Sequence, residues 1–145
     1  MEFNPLMTGS STSGERSKRA RTFEEIVAWQ VARHLTKRIY EVTRSDRFAR
    51  DFGLSSQTQR ASVSVMANIA EGFDRRGAVE FAHFLGYAKA SCSELRSNLY
   101  VALDCGYLSE DEFTELKTKA EEVSYLLQKL ISSLRASQPA KVEKP

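Results

Sequence analysis

Apolar residues recur every three or four positions through most of the chain, the spacing of a helix with one buried face. The first run is Phe23, Val27, Val31, Leu35, Ile39 and Val42. Thr22 and Glu25 head it with S/T-x-x-E spacing, in which hydroxyl and carboxylate each take up a free backbone N–H. This predicts a helix over 22–42. A polar connection, Ser45–Gly53, follows with room for a short turn. A second helix is expected over 55–71, with Gly72 as its C-terminal cap. A third is expected over 78–104, with Phe81, Phe84, Leu85, Ala88, Cys92, Leu95, Leu99 and Leu103 on one face and Gly106 as its stop. A fourth starts at Ser109, where Glu112 completes a second capping box, and its stripe runs from Phe113 and Leu116 through Ala120, Val123, Leu127, Leu130 and Ile131 to Leu134. No strand pattern occurs. Four helices on short connections predict an all-α fold, an antiparallel up-and-down four-helix bundle over 22–135.

The ends lack this periodicity. Residues 1–21 are rich in Ser, Thr, Gly and charge and are expected to form a disordered basic tail. Residues 1–6 read as an appended remnant ahead of a natural start at Met7. Residues 136–145 are expected to fray.

The second faces of the helices change the picture. Helix four is polar on its outer side, with Lys117, Glu121, Glu122, Gln128 and Lys129, and suits a monomer. Helix one does not. With 100° per residue, Ile26, Trp29, Lys37, Tyr40 and Arg44 all fall within about 40° of Arg33. Such a face fits surface aromatics covered by Arg and Lys stems, a subunit contact, or a phosphate-binding strip with aromatic stacking. Helix three carries Ala82, Gly86, Ala90, Ser93 and Ser97 opposite its core stripe. Gly86 in a helix interior costs about 1 kcal/mol against Ala, which the close approach of another helix would offset. Helix two repeats the theme with Ser64 and Ala67. Ile26, Trp29, Tyr40, Gly86, Ala90, Ser93 and Ser97 are therefore the candidate oligomer contacts.

Charge sharpens one of these readings. Lys and Arg total 21 and Asp and Glu 19, a net charge of +2. That balance excludes coating of nucleic acid by bulk charge and leaves room for a local patch. Residues 15–50 carry twice as many Lys and Arg as Asp and Glu, whereas residues 109–135 are acidic in balance. Candidate phosphate contacts are Arg33, Lys37, Arg38, Arg44, Arg47, Arg75 and Arg76. Arg50 and a flexible arm with Arg16, Lys18, Arg19 and Arg21 add to them.

Catalytic constellations are weak. Glu80 and His83 form one Glu-x-x-His, but a di-iron bundle needs two such pairs and further carboxylates, all facing inward. Cys92 sits in an apolar stripe, where a thiol acts as a small hydrophobe. Cys105 has no His nearby in sequence, and Gly72 and Gly77 match no phosphate-loop spacing. No metal, cofactor or catalytic residue is expected. Two lone thiols, no bilayer-length apolar run and no signal-peptide pattern point to the cytoplasm.

A block of residues carries a family resemblance. Asn68-Ile69-Ala70-Glu71-Gly72, preceded by Arg60-Ala61 and Ser64-Val65, resembles the signature of the bacterial four-helix-bundle proteins encoded in intervening sequences of large-subunit ribosomal RNA genes. Trp29-Gln30, Phe81, Phe84-Leu85, Ala88-Lys89, Ser91, Glu94-Leu95 and Cys105-Gly106-Tyr107-Leu108 extend the similarity over residues 22–134. The resemblance implies a bundle that assembles as a ring, commonly a homopentamer, without enzymatic activity. It also implies kinship with accessory proteins of diversity-generating retroelements, which bind a reverse transcriptase and nucleic acid. Met66 stands where many members have Pro, Gln59 where a second Arg is common, and Ala90 where Gly is common. Arg60, Asn68 and Glu71 form the polar part of the signature, expected to satisfy backbone groups or arginines at a helix junction or subunit boundary. Two functions follow as expectations: binding of RNA or DNA through a basic surface multiplied by the ring, or a protein-interaction scaffold that recruits a polymerase without touching nucleic acid.

Overall fold

The computed structural model describes residues 19–138. The expected tails therefore lie largely outside the described residues, as do Arg16 and Lys18 of the basic arm. Among the described residues the regular elements are helical: a 3-10 turn at Phe23–Glu25, then α1 (Val27–Thr43), α2 (Asp46–Arg50), α3 (Phe52–Asp74), α4 (Ala78–Asp104) and α5 (Glu110–Ala136). The four long helices form the expected bundle, and α2 makes one corner of it.

Pairs across each seam give the direction of packing. Thr36 donates to the Ser62 carbonyl while Gln59 reaches back to Thr43, so α1 and α3 run oppositely. Ser64 meets Ser91, and Gly72 meets Phe84, which sets α3 against α4 in the same sense. Lys89 bonds Gln128 and Tyr100 packs on Phe113, as opposed strands of contact between α4 and α5 require. The core lies on the common axis, with Leu35 and Ile39 from α1, Val65 and Ile69 from α3, Leu95 and Leu99 from α4, and Leu116 and Leu127 from α5, none more than 1% exposed. The stripes expected for the first, third and fourth helices supply most of this core, and Val65 and Ile69 supply the share of α3.

The helix ends show where local chemistry held and where it gave way. At α5 the box forms in full: the Glu112 amide donates to Ser109 Oγ at 3.1 Å and the Ser109 amide to Glu112 Oε1 at 2.9 Å. At the other box it does not. The Thr22 side chain makes no cap bond, and Glu25 instead accepts from the Arg21 amide at 2.7 Å. The chain breaks at Ile26, whose φ of −75° and ψ of 122° are extended, and α1 starts only after it. The Gln30 side chain donates to the Glu24 carbonyl at 2.8 Å and holds the break in place. Because the helical phase restarts there, Ile26 turns inward and is 1% exposed. This corrects its placement on the outer face with Trp29 and Tyr40.

Gly72 is also not a cap. α3 runs on to Asp74, and Gly72 sits inside it at the α4 contact. The α4 stop is as expected: Gly106 adopts φ 76°, the Tyr107 amide reaches the Ala102 carbonyl and the Gly106 amide that of Leu103. This paired closure satisfies carbonyls that the helix end leaves free.

Candidate nucleic-acid interface

α1 carries the candidate interface because its inner face is fully used by the core and its outer face is not. Arg33, Lys37 and Arg44 are exposed on that outer line, with Trp29 and Tyr40 half-buried between them. The Arg33 guanidinium lies 5.9 Å from the centre of the Trp29 ring, and that of Arg44 6.0 Å from the Tyr40 ring. Phe23 packs edge-on with Trp29, ring centres 5.2 Å apart. None of these three cations takes part in an ion pair among the described residues. The α1–α3 register sets Arg60, itself exposed, close to the level of Tyr40. α3 carries no carboxylate between Phe52 and Ala70, so nothing on it offsets the strip.

Of the other candidate cations, Arg38, Arg47 and Arg75 are engaged elsewhere. Arg38 points to α5, where Nε donates to Glu115 Oε2 at 2.9 Å and to Oε1 at 3.2 Å, and it also meets Glu41 at 3.4 Å. Its hydrogen bond with the Glu115 carboxylate holds this guanidinium above its ordinary pKa. Arg38, which lies about 140° from Arg33 around α1, therefore joins two helices, and this corrects its place among the candidate phosphate contacts. Arg47 donates to the Cys105 carbonyl at 3.3 Å and stacks 5.6 Å from the Tyr107 ring, so it closes the C-terminal end of α4. Arg75 pairs with Glu71 at 3.0 Å and covers the Phe84 ring at 5.0 Å. Arg76 is exposed at the α3–α4 turn, near the opposite end of the bundle from Arg44.

Arg60, Asn68 and Glu71 do not form one cluster. Arg60 and Glu71 are both exposed and lie about three turns apart on α3. Asn68 Nδ2 donates to the Ser64 carbonyl at 2.9 Å and to Ser64 Oγ at 3.1 Å, and Ser64 Oγ lies 2.8 Å from Ser91 Oγ. The polar group that joins α3 to α4 is thus Ser64, Asn68 and Ser91.

On α4, Gly86, Ala90, Ser93 and Ser97 form an exposed line, while Ala82 belongs to the core at 8% exposure. A Cβ added at Gly86 would meet nothing within 4 Å. Val79, Tyr87, Tyr100 and Val101, all exposed, flank this line. Glu80 and His83 are exposed as well. Cys92 is fully buried and its thiol is pushed up to about 12 by loss of solvation. Among the described residues no three His, Cys, Asp or Glu side chains converge, and no helix is long and apolar enough to cross a membrane.

The short turn allowed for in the Ser45–Gly53 connection is the helix α2, and its role as a packed corner was not foreseen. Phe48 is 0% exposed and stacks on Tyr107 at 5.3 Å. The Tyr107 hydroxyl donates to Asp51 Oδ2 at 3.0 Å, which raises its pKa, while Asp51 Oδ1 accepts from the Leu54 amide and caps α3. Phe48 in a mostly charged stretch, followed by Asp51 ahead of a helix, is the signal that marks this corner.

Four long helices, a short corner helix and a basic outer strip define a helical-bundle protein with exposed faces suited to contact. The chain belongs to the 23S rRNA-intervening sequence protein family, whose profile matches residues 24–129. Its fold is similar to that of a crystallised protein of unknown function from the S23 ribosomal protein family of Bacteroides thetaiotaomicron. That similarity has a TM-score of 0.66 at 20% identity and covers 72% of this chain and 97% of the other. No curated protein matches the chain.

Proposed function

We propose that this chain is a non-enzymatic, self-associating, cytoplasmic bundle protein that binds RNA or DNA through the outer strip of α1. The observation that carries the reading is the line of Trp29, Arg33, Lys37, Tyr40 and Arg44. Three cations without carboxylate partners alternate with two rings. Phosphates would replace water on the guanidinium and ammonium groups, and bases would stack on the rings. Two unbonded cysteines, one of them exposed, suit a reducing compartment.

Trp29 is the single tryptophan of the chain, so its emission reports directly on the strip. Titration with labelled RNA should quench Trp29 and raise the anisotropy of the label, with an affinity that falls steeply with salt. The double variant Arg33→Glu, Lys37→Glu should weaken binding at least ~tenfold and lower the salt slope by about two. Unchanged affinity and slope in a folded double variant would remove α1 from the interface.

Self-association is the second part of the proposal, and the α4 line supports it. Gly86, Ala90, Ser93 and Ser97 leave a smooth track against which another helix can lie closely. The family resemblance supports a ring, with five copies as the expected number. Light scattering should show loss of the assembly for Gly86→Leu with Ala90→Leu; normal assembly would exclude the track as the contact. The same track supports the other reading, a scaffold that recruits a polymerase such as a reverse transcriptase. That reading requires polymerase binding to survive the α1 double variant and to fail in the α4 variant.

A further inference from the structure

We infer that the recess at the α2 corner receives an unpaired nucleobase, and that the α1 strip therefore selects single-stranded nucleic acid over duplex. The inference rests on the proposed role of the strip in binding phosphate.

Phe52 is the first residue of α3 and is 78% exposed, the most exposed large apolar side chain among the described residues. Together with Arg47, Arg50, Asp51 and Tyr107 it lines an open recess of about 450 Å³. The floor of this recess is held firmly. Tyr107 stacks on fully buried Phe48, its hydroxyl is tied to Asp51, and Asp51 in turn caps α3. An exposed ring above a fixed floor is a platform rather than a frayed end.

The surroundings decide what the platform suits. Two guanidinium groups flank it. Arg47 is tied to the Cys105 carbonyl, and Arg50 is paired with Asp46 at 2.8 Å in an ion pair whose side chains are 73% and 80% exposed. An exposed pair of this kind contributes little and readily exchanges its carboxylate for a phosphate. Asp51 is the one carboxylate of the recess, and both its oxygens already accept hydrogen bonds. An apolar peptide anchor would find charged walls here. A nucleotide finds a ring for its base and cations for its phosphate, and stacking needs no particular base because each has a π-face.

Position supplies the rest. α1 ends at Thr43, Arg44 follows, and Arg47 and Arg50 lie on the short helix directly after it. Arg47 and Arg50 thus follow Arg44 within six residues, and a strand held by Arg33, Lys37 and Arg44 would reach Phe52 by way of the corner helix. In a duplex the faces of the bases are stacked on one another and closed to Phe52. In a single strand they are open.

The test compares a short labelled oligoadenylate with a duplex of equal length, using the full chain. The wild-type protein should prefer the single strand. Phe52→Ala should lower single-strand affinity ~tenfold, leave duplex affinity and salt slope unchanged, and leave the melting transition in place because the side chain is exposed. Phe52→Trp should restore binding. Wild-type single-strand affinity in Phe52→Ala, or an equal loss on both probes, would overturn the inference while leaving the strip intact. So would dissociation of an assembly by Phe52→Ala with nucleic-acid affinity unchanged, which would make the ring a protein contact. If Arg33→Glu with Lys37→Glu has no effect on either probe, the strip fails as well, and the two failures are thereby told apart.

Discussion

Replacing Phe48 with alanine is expected to destabilise the bundle by about 3–5 kcal/mol, the usual cost of truncating a fully buried aromatic. Folded domains are stable by only ~5–15 kcal/mol, so this is a large share of the total. The argument starts from the length of α2. Five residues cannot hold a helix by their own hydrogen bonds, because the nucleus costs more than so short a run returns. α2 exists because Phe48 inserts into the core at 0% exposure and stacks on Tyr107. Without that ring a cavity opens beneath the corner and Tyr107 loses its partner. Arg47, which closes α4 through the Cys105 carbonyl, then has no fixed base. Urea unfolding should show the midpoint shifted down at unchanged slope. A loss below about 1 kcal/mol would mean that the corner repacks and that α2 is dispensable to the fold.

The same corner explains what the amino-acid pattern could and could not convey. Long periodic runs announce helices because each buried side chain repeats the evidence of the previous one; α4 and α5, at 27 residues each, lie where their stripes place them. Five residues offer no repeat, so nothing in the pattern tells whether Phe48 or Phe52 of this link is the buried one. The two capping boxes share one spacing, yet only Ser109 with Glu112 closes. At the other, Glu25 accepts from Arg21, and the break at Ile26 hides a large apolar side chain that a continuous helix would expose. Burial of that side chain outweighs a cap worth about 1 kcal/mol. The outer strip of α1 was legible because it is a property of one helix. The partner of Arg38 was not, because Glu115 is 77 residues away in sequence and meets it only through the α1–α5 packing. Likewise Arg60 and Glu71 share a side of α3 without touching, while Asn68 finds Ser64 and, through it, Ser91 of the neighbouring helix.

Gly72→Ala should lower stability by about 1–3 kcal/mol, although alanine is the better helix former by about 1 kcal/mol. A Cβ built at Gly72 would stand 2.5 Å from the Cβ of Phe84 and 3.2 Å from Phe81 Cδ1. The nearer atom is attached directly to the α4 backbone and no rotamer removes it. The helices must separate, or α4 must shift along its axis. Either movement disturbs Ser64 and Ser91, which sit 2.8 Å apart two turns away on the same seam, and loosens the edge contact of Phe73 with Phe81 at 5.8 Å. Gly86 gives the opposite case within one chain. Its added methyl meets nothing, so Gly86→Ala should raise the stability of a lone copy by up to about 1 kcal/mol through helix propensity alone. Parallel denaturation curves should therefore move in opposite directions for the same chemical change. The contrast also bears on assembly. At a dilution that keeps copies apart, Gly86→Ala should melt higher than wild type. If that gain vanishes or reverses as concentration rises, the methyl is meeting a second copy on the α4 track. If Gly72→Ala melts at or above wild type, the close α3–α4 approach is not a constraint, and the glycine of the Asn68–Gly72 block has no steric reason to be there.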